Sequence, residues 1–184
     1  MKPTIFLLLA AVAVASCNDD KNDTKSVSEQ DQTFSMSASM ANQAEIQISG
    51  LVSDRSNDST VRAFALHMIA EHVVALNELK MIANNNKNIT ISTDLDSLHA
   101  QLRRKLMMLD SVAFDTLYIN SMVSDHKKVI AQFQAESSMG EDADLKAYAD
   151  KYLPNLNEHL ATAQTIQKSL MTPVSATGGR KKSE

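Results

Sequence analysis

The stretch Val61–Ala83 most constrains what this chain can fold into. Val61, Ala65, Met68, His72, Leu76, Leu79 and Ala83 recur at alternating intervals of four and three, the seam that a helix turns toward other helices. One member, His72, is ionisable and falls in mid-seam. A polar group there costs about 1–3 kcal/mol unless something hydrogen-bonds or ligates it. The rest of the chain can therefore be asked which residues meet His72.

Three further seams answer. A first long helix is expected over 31–54, with Phe34, Ala38, Ala41, Glu45, Ile48 and Val52 on one face. The His72 helix follows, over 59–84, with Asp58 or Ser59 able to cap its free amides. Asn84-Asn85-Asn86 favours a turn, and Lys87–Thr93 reads as an extended connector, since one short strand has no partner elsewhere. Asp94 then caps a shorter helix through Leu109, striped by Leu95, Leu98, Leu102, Leu106 and Leu109. A third long helix spans 111–139, with Val112, Ile119, Met122, His126, Val129 and Phe133. Gly140 stops it and Asp142 starts a fourth, whose seam runs Leu145, Ala149, Tyr152, Leu156, His159, Ala163, Ile166 and Leu170. Pro154 removes one backbone bond inside that helix and is expected to bend it.

Helices of this length joined by short turns form antiparallel hairpins, so the expected architecture is an all-α four-helix bundle with an extra short helix between the second and third. Glu45 lies about ten residues before its turn and His72 about seventeen after, a height difference of roughly one to two turns. Side chains lean toward the N-terminus of their own helix, so these two lean toward each other. The same holds for His126 and His159 across Gly140. Glu45, His72, His126 and His159, one from each helix, are thus the candidate metal ligands. Three imidazoles and a carboxylate suit one divalent transition metal: Zn, Fe, Mn or Cu. The alternative for the same residues is a buried polar cluster that fixes helix register. Glu71, Asp125 and Glu158 each precede a His and read as solvated or supporting groups. His67 and His99 fall off the seams and read as surface residues. The ten Met read as core filler.

The N-terminus reads as an export signal. Lys2 flanks an apolar run, Ile5–Ala15, too short to span a bilayer comfortably, and Val14-Ala15-Ser16-Cys17 resembles a lipoprotein lipobox. The expected organisation is a signal peptide over 1–16, an acidic tether over 17–30 with lipidated Cys17, the helical domain over 31–171, and a disordered tail over 172–184. Cys17 is the single cysteine, which excludes an internal disulfide. A net charge of −4 gives no reason to expect nucleic acid, and the one basic cluster, Arg180-Lys181-Lys182, lies in the tail. No phosphate-binding glycine loop, Cys-based zinc pattern or nucleophile elbow occurs, and no catalytic residue is identified.

Asp31-Gln32-Thr33-Phe34, Ala41-Asn42-Gln43-Ala44-Glu45, Val61-Arg62-Ala63-Phe64-Ala65, Met68-Ile69-Ala70-Glu71-His72, Phe114-Asp115-Thr116-Leu117-Tyr118 and Leu153-Pro154-Asn155-Leu156-Asn157-Glu158-His159-Leu160 follow in order. Together they resemble the bacterial domain of unknown function 4142 family over about 31–170. The resemblance implies a ferritin-like bundle, exported or lipid-anchored, without an established activity, in which the recurrent Glu and His correspond to Glu45, His72, His126 and His159. Di-iron bundles use Glu-x-x-His pairs. Here Ile69, Val123 and Leu156 stand three positions before the histidines, so a mononuclear site is expected instead. The reading is a non-catalytic envelope protein, anchored at the outer membrane and holding one metal ion for metal handling or stress tolerance. A metal-dependent redox enzyme and a metal-free structural or partner-binding bundle, homodimeric association included, are the competing classes.

Overall fold

Short polar side chains fix where the helices begin. In the computed structural model, which describes residues 27–86 and 88–172, Ser28 accepts from the Asp31 amide and opens α1 (Glu29–Ser49). Asp58 accepts from the Thr60 and Val61 amides and opens α3 (Ser59–Asn85). Asp96 does the same for α4 (Ser97–Leu106), and Asp142 for α6 (Ala143–Met171). These bonds satisfy amides that the first turn leaves without carbonyl partners. The third long helix, α5 (Ser111–Met139), has the bounds that the sequence predicts.

Three expectations shift. The helix of the first seam begins at Glu29, inside the stretch read as tether, because Ser28 is available as its cap. It also stops at Ser49 instead of Asp54, and Val52–Arg55 forms a separate turn, α2. Gly50 lies at the break, and glycine costs about 1 kcal/mol in a helix interior relative to Ala. The break lets Val52 bury fully in the core. In α4 the cap is Asp96, not Asp94, since Ser92 Oγ accepts from the Asp94 amide and donates to its carbonyl, holding it in a turn. Leu98 and Val112, expected on seams, are exposed. Helix α6 continues through Pro154. The proposed signal peptide, Cys17 and most of the proposed tail lie outside the described residues.

Among the described residues there is no strand, and no helix is long and apolar enough to cross a membrane. The four long helices close a ring in which α1 packs on α3 and α5, and α6 packs on α3 and α5. The connector between α3 and α4 lies along α1. Ser35 donates to the Thr90 carbonyl, Gln43 donates to the Ser92 carbonyl, and Ser39 Oγ accepts from the Ser92 amide. Asp31 accepts from the amides of Glu141 and Asp142 and ties α1 to the α5–α6 turn.

The interior is layered. One apolar cluster gathers Ile48, Val61, Phe64, Met68, Phe114, Tyr118, Ile119, Met122 and Ile166. A second gathers Phe34, Leu79, Ile130, Phe133, Leu145, Tyr148 and Leu156. On each long helix a polar residue separates the two: Glu45, His72, His126 and His159, all buried.

Candidate metal centre

The three imidazoles belong to one site. A nitrogen from each of His72, His126 and His159 lies within 4.8 Å of the others, and the ring centroids are 5.3–5.9 Å apart. The far nitrogen of each ring is held by an oxygen. His72 Nδ1 is 2.8 Å from Asn42 Oδ1. The amide of Asn42 can turn only one way, because its Nδ2 donates to the Ala38 carbonyl and the Tyr148 hydroxyl. His126 Nδ1 is 2.9 Å from the Met122 carbonyl, one turn back along α5. His159 Nε2 is 2.9 Å from Glu71 Oε2.

A carbonyl or carboxylate only accepts, so each of those ring nitrogens is the N–H of a neutral imidazole. The lone pairs are therefore on His72 Nε2, His126 Nε2 and His159 Nδ1. His126 Nε2 and His159 Nδ1 face each other at 3.4 Å, and His72 Nε2 is buried with no hydrogen-bond partner. A ring N–H donated to a carbonyl or carboxylate at the back of each ring is the arrangement that metal-ligating histidines use to fix tautomer and orientation.

Electrostatics agree with neutral rings. Burial pushes His72 well below its ordinary pKa, with His126 and His159 adding to the effect. Burial likewise lowers His126 to about 4, and lowers His159 against the opposing pull of Glu71. Around neutral pH the layer thus offers three uncharged nitrogen donors, the protonation state in which imidazole binds a metal.

Glu45 stands beside this group. Its Oε1 is 3.8 Å from His126 Nδ1, on the side of the ring away from His159, and its Oε2 is buried without a partner. It lines one small internal cavity with His72 and His126, and also the floor of an outer cleft of about 250 Å³ between α1, α4 and α5. Burial and the nearby Asp125 raise its carboxyl to about 8.

Several placements differ from the sequence reading. His99 is not a surface residue. It is mostly buried at the cleft, bonded to Asp96 and 3.5 Å from Asp125, and these carboxylates raise its pKa to about 9. Asp125 therefore serves His99 and not the neighbouring His126. Glu71 supports His159, as a flanking acid was expected to do for its site, though from another helix. Glu158 is exposed. His67 is exposed but lies 3.4 Å from Glu71. Asn42 and Tyr148 were not foreseen. Asn42 falls four residues after Ala38 and three before Glu45, so its place on the α1 seam was available in the spacing.

Fold and site together define an all-α bundle with a buried, pre-oriented trio of imidazoles across its middle. The domain of unknown function DUF4142 matches residues 18–166, and the chain belongs to that family. No curated protein matches the sequence. A crystal structure of a Streptomyces coelicolor protein, described as secreted and as DUF305, is similar with a TM-score of 0.66. It shares 15% identity, with 77% of this chain and 93% of that chain covered, a likeness of fold.

Proposed function

We propose that the protein is a lipid-anchored envelope protein whose ferritin-like bundle holds one divalent transition-metal ion between its helices. The observation that carries the reading is the orientation of the three rings. Each spends its N–H on an oxygen at its back, and the three lone pairs turn inward without donors to meet them. In a dry interior such lone pairs repel one another and lose hydrogen bonds that water would have given them, unless a cation lies among them. A cluster built only to fix helix register would alternate donors with acceptors.

His72, His126 and His159 would be neutral nitrogen ligands. Glu45, expected as a fourth ligand, stands outside the trio at the other edge of His126, where its carboxyl would ionise as the cation enters and balance the charge from beside it. The ion would join three long helices, α3, α5 and α6, otherwise held by two separate apolar clusters, which suits metal storage, buffering or stress tolerance. The anchor at Cys17, and through it the outer membrane, belongs to the same proposal and rests on the lipobox. That anchoring is tested by labelling cells with a radioactive fatty acid beside a Cys17→Ser variant, which should carry no label.

Metal content of untagged protein, measured by elemental analysis, tests the centre. Wild type should carry about one equivalent of a first-row metal, and His126→Ala should lose it while keeping its helical spectrum. Wild type without stoichiometric metal, even after dialysis against Zn, Mn, Fe and Cu ions, would refute the reading. A redox enzyme using an open coordination position is the second reading, favoured by the outer cleft that reaches Glu45. It requires peroxide or superoxide turnover by the loaded protein that His72→Ala abolishes.

A further inference from the structure

The ring of His159 meets a neighbour at each of its two nitrogens. Its Nδ1 faces the buried trio through His126 Nε2, 3.4 Å away. Its Nε2 faces outward to Glu71 Oε2 at 2.9 Å, and Glu71 Oε1 in turn is 3.4 Å from His67 Nε2. One ligand atom from each of His67, Glu71 and His159 lies within 4.8 Å of the other two. His67 and Glu71 are one turn apart on α3, so a single helix face presents both. Asn155 donates to Glu71 Oε2 and fixes that carboxylate from α6. The His67 side chain is half exposed and Glu71 about a third, so the group opens to water where the buried trio does not.

We propose that His67, Glu71 and His159 form a second, solvent-facing divalent-metal site that shares the His159 ring with the buried centre. The inference rests on the reading of the buried trio as a metal site. Two imidazoles and a carboxylate are a sufficient donor set for a borderline cation such as Zn(II) or Cu(II). When both positions are filled, the Nε2 proton of His159 leaves to water and its electron pair binds the outer ion. The ring is then an imidazolate with one ion on each nitrogen. No electrons are transferred, and the charge lost with the proton offsets part of the repulsion between the two cations.

The experiment is a Cu(II) titration of the untagged full chain, read by native mass spectrometry and by integrated electron paramagnetic resonance. Wild type should take up two ions, and its integrated signal should fall below the copper count as the second enters, because a bridging imidazolate couples the two spins. His67→Ala should stop at one ion with full intensity. Wild type stopping at one ion, like His67→Ala, would overturn the outer site and leave the buried centre intact. Two ions with fully independent signals would overturn the shared ring. Uptake of no ion would remove the buried centre and the outer site together.

Discussion

Acid should loosen the metal-free protein through its imidazole layer, and His126 lets the size be worked out. An imidazole in the unfolded chain titrates near 6.5, whereas burial holds that of His126 near 4. Between these values the unfolded chain binds a proton that the folded chain expels. The stability given by neutral His126 is therefore complete above about pH 6.5 and is lost as the pH falls toward 4. Moving from about pH 7 to about pH 4.5 should cost about 2 kcal/mol at this residue alone. His72 and His159 act in the same direction, while the raised carboxyls of Glu45 and Glu136 act in the opposite one. Total acid sensitivity therefore mixes several groups, and a comparison with His126→Leu isolates one. Leucine fills much of the same space and does not titrate. Urea denaturation of chelator-treated protein, followed by circular dichroism at the two pH values, gives the difference. Wild type should lose about 2 kcal/mol more than His126→Leu over the interval. Equal losses in the two proteins would refute the claim that His126 is buried neutral.

Three further outcomes are expected. Asn42→Ala frees the His72 ring from its acceptor and should weaken metal binding about 10–100-fold in a chelator competition, without loss of helix content. Glu136 is fully buried, its carboxyl raised to about 7 by burial and by Asp31, so its own contribution to stability should be lost as the pH rises from about 4.5 through 7. Glu136→Gln removes that contribution, so over this range the variant should gain more stability than wild type in denaturation curves. Gly140→Ala would place a Cβ 2.6 Å from Glu136 Oε1 and 2.7 Å from the Glu136 carbonyl, and the forced shift should cost about 1–3 kcal/mol in thermal or urea unfolding.

Much of this arrangement was legible in residue spacing. The four-three repeats place His72, His126 and His159 inward, and any closed ring of antiparallel helices brings inward residues of similar height together. Spacing along one helix does not say which neighbours flank it, and that is where the reading fell short. Glu45 was matched with His72 from its hairpin partner, yet α1 also packs on α5, and Glu45 lies against the far edge of His126. The residue on α1 that touches His72 is Asn42, an uncharged amide that spacing alone does not distinguish from any other polar residue of the helix. His99 read as a surface residue because α4 lies outside the four-helix ring, and only the tertiary approach of Asp125 encloses it. Gly50 ended the first helix despite an unbroken apolar repeat through Val52, since the seam records where side chains point and not whether the backbone between them stays helical.

The hydrophilic girdle between the two greasy halves has a mechanical consequence. Neither half holds much more than a dozen well-covered side chains, too few to melt as a sturdy unit by itself, and every long helix threads both. Whatever rivets the girdle decides whether the halves give way in a single event or one after the other. A cation there would act as a weld at mid-height, and stripping it out should broaden the thermal transition as well as lower it.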